Sequence, residues 1–295
     1  MTLALSWIAA PLDEQVTAVA ELLAAAADTD GVAPISEAAA LRLHHPGTTV
    51  VQHLLAREST GRLLGYAELD ERLQRRTAEF AVHPAHRRRG VGGALLAALL
   101  DRVPGPLWLW AHGEHPAALR LARQAGLTRQ RELFQLRRAL AGPIPQRALP
   151  ERVALRAFVP GADEAAVVQV NNRAFSWHPE QRRWDTGELA VREAQPWFDP
   201  KGFLLAVDPA GELLGFHWTK MHPGGLGEVY VLAVDPDAQG SGLGVALTVL
   251  GLAHLREQGA SQAMLYVESD NTAALHTYQK LGFAYHHTDA EFLRP

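Results

Sequence analysis

The sequence predicts an α/β protein with two tandem copies of one fold, each a mixed, mostly antiparallel sheet flanked by helices. Three observations lead to this prediction: strand-type and helix-type segments alternate, two motifs recur in the same order, and a proline-rich stretch separates the two copies. A length of 295 residues suits two domains of roughly 150 residues each. With 47% hydrophobic residues, each half can bury a core.

Each copy is predicted to contain a helix, a hairpin, a strand, a glycine turn leading into a second helix, and then a strand, a short helix and a final strand. In the first copy we place the opening helix, the two hairpin strands and the next two strands at residues 14–26, 50–57, 63–68, 79–82 and 107–111. In the second copy the corresponding elements are placed at residues 163–175, 203–207, 213–221, 228–234 and 263–268.

The repeat rests on two pairs of aligned segments. Residues 81–96 align with residues 233–248 at an offset of 152, and residues 116–127 align with residues 272–283 at an offset of 156. Between the copies, residues 141–150 hold three prolines and a glycine, which interrupt both helices and central strands. We therefore predict a domain boundary near residue 145, with domains at 1–145 and 146–295.

Composition excludes several classes of function. The net charge of −4 and a basic run confined to residues 86–89 argue against a nucleic-acid partner. The absence of cysteine removes disulfides, thiolate metal sites and a cysteine nucleophile. No stretch approaches the ~18 apolar residues of a membrane span, and the start does not resemble a signal peptide. We expect a monomer in the cytoplasm that contacts no membrane.

The glycine turn between a strand and a helix is the segment that indicates chemistry. Glycines allow the backbone to approach a ligand closely, and the N–H groups and dipole of a helix N-terminus attract an anion. The turn therefore predicts a pyrophosphate site, although a plain tight turn remains the alternative. Its spacing fits neither the dinucleotide nor the nucleoside-triphosphate motif. The residues concerned are Gln239, Gly240, Ser241, Gly242, Leu243, Gly244 and Val245 in the second copy, and Arg88, Arg89, Gly90, Val91, Gly92 and Gly93 in the first.

Residues 271–283, Asn-Thr-Ala-Ala-Leu-His-Thr-Tyr-Gln-Lys-Leu-Gly-Phe, together with the upstream turn, resemble the GCN5-related N-acetyltransferases. This resemblance implies acetyl-CoA as co-substrate, with its pyrophosphate on the turn and its pantetheine arm paired to the preceding strand. No cluster of His, Asp and Glu has metal-ligand spacing, so no metal is expected. The implied contacts with the cofactor are Leu232, Ala233, Val234, Asn271, Thr272, Ala273, Ala274, Leu275 and His276, and in the first copy Phe80, Ala81 and Val82.

Acetyl transfer to an amine needs a base for the ammonium and an acid for the departing thiolate. Glu228, just before the cofactor strand, is the predicted base, and Tyr278 is the predicted acid. At the offsets of the repeat these positions align with Arg76 and Ala122, so the first copy is predicted to bind the cofactor or to act structurally, without chemistry of its own. An ordinary strand-edge carboxylate and a core aromatic residue are the alternatives.

Motifs at residues 30–37, 171–181, 218–222 and 227–232 resemble the mycothiol synthase family. That family acetylates the cysteinyl amine of 1-D-myo-inosityl 2-(L-cysteinylamino)-2-deoxy-α-D-glucopyranoside, so a cysteinyl glucosaminyl-inositol is the implied small-molecule partner. The implied substrate contacts are Glu37, Glu180, Lys220, Glu228 and Tyr266. Glu37 could instead cap a helix, and Glu180 and Lys220 could be solvated charges. A peptide N-terminus, an aminoglycoside-like amine or a CoA-sensing module remain alternative readings.

Overall fold

A computed structural model describes residues 3–44, 51–71, 75–178 and 184–295. The chain forms two compact units, one made of Met1–Phe134 with His287–Pro295 and the other of Gln135–His286. The boundary predicted near residue 145 divides the copies of the repeat and stays a prediction. Glu180 lies outside the described residues.

The described residues of the first unit form strands β1 to β5 and helices α1 to α4 before the chain leaves it. They are β1 (Leu3–Ile8), α1 (Asp13–Asp30), α2 (Glu37–His44), β2 (Val51–Glu58), β3 (Leu63–Asp70), β4 (Arg76–Val82), α3 (Val91–Arg102), β5 (Leu107–Ala111) and α4 (Pro116–Gln124). The next strand, β6 (Thr128–Ala139), begins in the first unit and ends in the second. The predicted helix, hairpin and strands of this copy are confirmed, with small differences at their ends.

The second unit repeats this order of elements. They are β7 (Ala154–Ala157), α5 (Glu164–Ala174), α6 (Thr186–Glu193), β8 (Phe203–Val207), β9 (Leu213–His222), β10 (Leu226–Val234), α7 (Leu243–Glu257), β11 (Gln262–Glu268) and α8 (Thr272–Lys280). The last strand, β12 (Ala284–Arg294), begins in the second unit and ends in the first. The sequence pattern does not predict β1 and β7, which precede the opening helices.

Each unit has a mixed sheet, as predicted. The strand order is β1-β2-β3-β4-β5-β12 in the first unit and β6-β11-β10-β9-β8-β7 in the second. The hairpin-connected neighbours pair antiparallel, whereas β4 with β5 and β10 with β11 pair parallel. A parallel pair needs a crossover connection, which α3 and α7 provide.

The helix that follows each glycine turn packs against its sheet. In the first unit Leu95 and Leu99 of α3 are fully buried in a core with Leu54 and Leu64. Gly227 lies under α7 so closely that an added Cβ would meet the Leu255 side chain at 2.8 Å. Helix α7 therefore packs directly on β10, with no room for a side chain at Gly227.

Candidate active site

The second glycine turn has the backbone geometry that the sequence predicts. Gly240 and Gly242 have φ of +77° and +84°, which side chains other than glycine rarely adopt. Gly242 is the N-cap of α7 and supplies no side-chain hydrogen bond. The turn is braced from outside, because Ser241 Oγ donates to the Ala238 carbonyl at 2.7 Å and Gln239 Nε2 donates to the Val234 carbonyl at 3.2 Å. The first N–H groups of α7 can therefore receive an anion.

A basic side chain that the sequence analysis does not identify lies against this turn. A Cβ added to Gly242 would meet Arg147 Nη2 at 3.0 Å. Arg147 is exposed, and within the described residues no carboxylate forms an ion pair with it. The turn itself contains no Lys or Arg between Gln239 and Gly244, so Arg147 is a cation placed beside an otherwise neutral anion site.

Beside the turn, two parallel strands separate. The register pairs of β10 with β11 cover only Leu226–Glu228, and a bulge follows between Val229 and Val231. Leu232, Ala233 and Val234 continue to pair with β9 on the other side. The described register with β11 does not extend to these residues, and their pairing with an extended ligand, which the resemblance implies, stays a prediction.

Glu228 lies at the point where these strands begin to separate. The residue is buried, and its register partners are Lys220 on β9 and Met264 on β11. His222 Nε2 donates a hydrogen bond to Glu228 Oε2 at 2.6 Å. In the sequence, His222 precedes a proline and looks like a turn residue. Its contact with Glu228 depends on the register of two strands, which the local sequence does not reveal.

Tyr278 lies on α8, which follows β11. Its ring packs edge-to-face against Phe283 with centroids 5.8 Å apart, and burial raises the pKa of the phenol to about 12. Among the described residues nothing forms a hydrogen bond with its hydroxyl. Tyr278 and Glu228 therefore occupy separate elements of the same unit, and no direct contact joins them within the described ranges.

Asn271 caps α8, the helix that carries the other predicted cofactor contacts. Its Oδ1 accepts a hydrogen bond from the backbone N–H of Ala274 at 3.1 Å. A short amide side chain suits this position, because an N-cap residue accepts a hydrogen bond from a backbone N–H in the first turn of the helix. Thr272, Ala273, Ala274, Leu275 and His276 form the first turns of the helix.

The structure places the four described members of the predicted substrate set on four different elements. The Lys220 ammonium on β9 lies 4.5 Å from the Trp197 ring centroid and 5.2 Å from that of Tyr230. Tyr266 on β11 is 37% exposed, and its hydroxyl accepts a hydrogen bond from Gln135 at 2.7 Å. Glu37 begins α2 of the first unit. Lys220 and Glu228 are the members of this set that the structure brings side by side.

The first unit contains a similar turn with a different environment. Gly90 caps α3 with φ of +87°, and Arg88 also has a positive φ of +63°. The pairing of β4 with β5 stops at Ala78, so Phe80, Ala81 and Val82 lie beyond it as their counterparts do. Among the predicted turn residues, Gly92 packs closely, since an added Cβ would meet Leu121 at 3.2 Å.

The alignment of Glu228 with Arg76 is wrong by one residue. Gly215 pairs with Val234 in the second unit as Gly65 pairs with Val82 in the first. Five residues further along these strands, Lys220 pairs with Glu228, whereas Asp70 pairs with Thr77. The shift arises because β10 has a bulge after Val229, whereas no such bulge interrupts the described pairing of β3 with β4. The corrected counterpart is Thr77, which also cannot act as a carboxylate base.

In the first unit, buried ionised side chains lie where strands β4 and β5 separate. His112 donates to Asp289 Oδ2 at 2.8 Å and contacts Glu79 Oε2 at 3.0 Å, and Ser36 Oγ donates to Glu79 Oε1 at 2.7 Å. Burial alone would lower the pKa of His112, but its hydrogen bonds to the two carboxylates raise it to about 10. Burial alone would raise the pKa values of Glu79 and Asp289, yet the hydrogen bonds hold both below their ordinary values.

The described residues also lack two kinds of feature. No group of three or more His, Asp or Glu side chains in the described ranges could hold a metal ion. None of the helices in that part of the chain combines the length and apolar character needed to cross a bilayer.

The chain matches the model of the acetyltransferase (GNAT) family twice, at residues 17–127 and 170–283, and each match includes one glycine turn. It therefore belongs to the GNAT family and is an acetyl-CoA-dependent N-acetyltransferase with two tandem GNAT folds. A tandem GNAT protein from the clavulanic acid biosynthesis pathway shares this fold, with a TM-score of 0.77, 22% identity, and coverage of 99% of this chain and 98% of that one.

Relatives with much higher identity define a narrower family. The chain is 51% identical to the mycothiol acetyltransferase of Saccharopolyspora erythraea, over 90% of this chain and 97% of that protein. It is 52% identical to the mycothiol acetyltransferase of Actinosynnema mirum, over 98% of each chain. The chain belongs to the mycothiol acetyltransferase family, which confirms the resemblance found in the sequence.

Proposed function

We propose that the protein transfers an acetyl group from acetyl-CoA to the cysteinyl amine of 1-D-myo-inosityl 2-(L-cysteinylamino)-2-deoxy-α-D-glucopyranoside, which yields mycothiol and CoA. The observation that carries this proposal is the 52% identity to a mycothiol acetyltransferase over 98% of both chains. The geometry agrees with amine chemistry, since a buried carboxylate lies where the cofactor strand separates from its neighbour. A polyhydroxylated substrate also suits the mixed charges of Lys220 and Glu228.

The cofactor site of this proposal lies in the second unit. The pyrophosphate would accept hydrogen bonds from the backbone of the turn at Gly240–Gly244, and the Arg147 guanidinium would pair with one of the phosphates. The pantetheine amides would continue the sheet along Leu232–Val234, where β11 has separated from β10. This arrangement directs the thioester toward the bulge and Glu228.

Glu228 acts as the base in this mechanism. Its carboxylate takes a proton from the substrate ammonium, and the nitrogen lone pair then attacks the thioester carbonyl carbon. The C–N bond forms and the C–S bond breaks with its electron pair on sulfur. The nitrogen then loses its second proton to the thiolate, which gives the amide and the CoA thiol, and protonated Glu228 releases its proton to water. Because the chain has no cysteine, a cysteine-bound acyl group is impossible, and we assign direct attack within a ternary complex.

Tyr278 stabilises the leaving sulfur. A phenol with a pKa of about 12 stays protonated at neutral pH, so its O–H can donate to the sulfur as negative charge develops. A thiol has a pKa near ~8.5, so complete transfer of the phenol proton to the thiolate is uphill. The hydrogen bond to sulfur is therefore the contribution that we assign to Tyr278 in the transition state.

The two copies divide the work in this proposal. The first unit has Thr77 and Ala122 at the positions of Glu228 and Tyr278. Where its strands separate, the ionised side chains of Glu79 and Asp289 are both hydrogen-bonded to His112. We assign the chemistry to the second unit alone. The first unit keeps the glycine turn and is left with a binding or structural role.

Measuring thiol release from acetyl-CoA with three amines tests the substrate. We expect turnover with the cysteinyl pseudodisaccharide, none with its uncysteinylated parent, and none with peptides that carry a free N-terminus. Mass spectrometry of the product should show one added acetyl group on the cysteinyl nitrogen. Faster turnover of the peptides or of the parent amine than of the cysteinyl compound would contradict the proposal.

A further inference from the structure

The predicted base is contacted by one side chain from the neighbouring strand. His222 Nε2 lies 2.6 Å from Glu228 Oε2, and both residues belong to the antiparallel pair of β9 and β10. Lys220 is the direct partner of Glu228 and His222 the direct partner of Leu226, so His222 is the diagonal neighbour of Glu228 on the same face of the sheet. The contact is set by strand register.

The two groups differ in their access to water. The Glu228 side chain is 10% exposed, whereas the His222 side chain is 26% exposed. The hydrogen bond from the imidazole falls on Oε2 of the carboxylate. One oxygen is thus held by the imidazole, and the other remains able to accept a proton.

The end of the hairpin holds His222 in place. Gly224 and Gly225, between the two strands, have φ of +78° and +75°. The Gly225 carbonyl accepts a hydrogen bond from the backbone N–H of Ser261 at 2.8 Å, just before β11. Because the turn is tied to the next strand, the imidazole approaches Glu228 from a fixed backbone rather than from a free loop.

A buried carboxylate needs donors to remain ionised, because desolvation favours its neutral form. Lys220 faces Glu228 from β9, and its ammonium also lies over the Trp197 and Tyr230 rings. From β11 the register partner is the uncharged Met264. His222 is therefore the group whose N–H is already aimed at the carboxylate.

We propose that His222 is a positioning residue for acetyl transfer: by donating Nε2–H to Glu228 Oε2, it holds the carboxylate in one orientation and directs Oε1 toward the substrate ammonium. This inference rests on the proposed role of Glu228 as the base. His222 itself exchanges no proton with the substrate in this scheme. Its contribution is the hydrogen bond to its neighbour and the rotamer that this bond selects.

The pH profile of kcat/KM for the amine tests this role in three variants. In His222→Ala we expect kcat/KM to fall roughly tenfold to a hundredfold and its acidic limb to move to higher pH, because the carboxylate without its donor binds a proton more tightly. His222→Gln keeps an N–H at nearly the same place, so much of the activity and the position of the limb should return. The KM for acetyl-CoA should stay unchanged in both. His44→Ala, at the exposed end of α2, is the matched control.

A double variant shows whether His222 acts through Glu228. In the Glu228→Gln background, adding His222→Ala should cost almost nothing, since the base is already absent. If His222→Ala leaves the acidic limb in place, or costs the same factor in both backgrounds, the positioning role is wrong although Glu228 stays the base. If Glu228→Gln itself retains wild-type turnover, the base assignment fails, and this inference fails with it.

Discussion

Glu228 combines burial, an imidazole donor and a cationic neighbour at the point where the cofactor strand separates from β11. Glu228→Gln keeps the size of the side chain and removes its capacity to accept a proton. We expect kcat to fall by roughly 10²-fold or more, with the KM for acetyl-CoA unchanged, in a steady-state thiol-release assay. Glu212→Gln, exposed in the hairpin turn between β8 and β9, should behave as wild type. Near-wild-type turnover of Glu228→Gln would contradict the mechanism.

Tyr278→Phe removes one hydroxyl and keeps the packing of the ring against Phe283. We expect kcat to fall by roughly 10²-fold while acetyl-CoA binding persists, because the lost hydrogen bond acts on charge that develops in the transition state. The raised pKa of about 12 means that Tyr278 does not deprotonate in the usual assay range, so the alkaline limb of the pH profile should be the same in wild type and variant. Tyr285→Phe, at an exposed position, is the control. Loss of the alkaline limb in Tyr278→Phe would show that the phenol ionises earlier than we infer.

The residues predicted from sequence and those missed differ in the kind of signal that identifies them. Glu228 and Tyr278 are found because each sits at a fixed distance from a recognisable motif. The contact of His222 with Glu228 and that of Arg147 with Gly242 depend on strand register and on the path of the linker, which local pattern does not encode. The one-residue error at Thr77 has the same origin, because a bulge changes register without leaving a clear sequence signal.

At the scale of elements, the two glycine turns are tied to the opening helices by ion pairs of opposite polarity. In the first unit Asp30, at the end of α1, holds the turn residue Arg87 with two hydrogen bonds of 2.7 and 2.6 Å. In the second unit Arg173, near the end of α5, pairs with Asp235 at 2.9 Å and Asp237 at 2.7 Å. Arg173 thereby neutralises carboxylates that would otherwise repel a phosphate at the turn. In both copies the opening helix forms an ion pair with the segment at the turn, but the helix supplies the acid in the first copy and the base in the second.

Gly242→Ala tests the anion site of the second turn. A Cβ at this position requires a strained positive φ and meets Arg147 Nη2 at 3.0 Å, so we expect the KM for acetyl-CoA to rise by tenfold or more. Gly259→Ala is a close control, because Gly259 follows the other end of α7 with φ of +89° and has nothing within 4 Å of an added Cβ. Both variants should lose stability to a similar extent in thermal melts. An equal rise in KM in both would show that strain alone, rather than the site, is responsible.

The elements themselves are predicted well where their signals are local. Alternating apolar patterns, the proline-rich linker and the glycine turns specify the hairpins and the helices α3 and α7 of both copies. The short strand β7 has few residues and mostly exposed positions, so its pattern is weak. The return of β12 to the first unit involves partners nearly two hundred residues away, as in the contact between His112 and Asp289. Long-range returns of this kind carry no local signal.

At the scale of the whole molecule, the buried network of Glu79, His112 and Asp289 makes stability depend on pH. The folded pKa of His112 is about 10 against an ordinary 6.5, so its contribution is complete below about pH 6.5 and is lost as pH rises through about 10. The lowered pKa values of the two carboxylates add stability above about pH 4 that is lost in acid. His112→Gln should therefore cost roughly 3–5 kcal/mol of unfolding free energy near pH 5–6.5, and the difference from wild type should shrink toward pH 10. Denaturant titrations across pH measure it, with His44→Gln as a control that should show no such dependence.

The last strand makes the first unit depend on the end of the chain. Ala290–Arg294 pair with β5, Arg75 forms an ion pair with Glu291, and Arg294 donates to the Gly105 carbonyl at 2.8 Å. A chain that ends at His286 would leave an open edge on β5 and His112 without one of its two carboxylates.

Hydrogen exchange followed by mass spectrometry can separate the response of the two units to that truncation. We expect peptides from residues 3–134 to lose most of their protection, and peptides from residues 140–280 to lose much less, because residues 287–295 belong to the first unit. Removal of Pro295 alone is the control and should change neither. If the truncated chain kept the protection of its first unit, the strand would be an accessory to that fold. If that protection is lost, the predicted domain at residues 1–145 lacks part of its own sheet, and the two copies must be expressed as one chain.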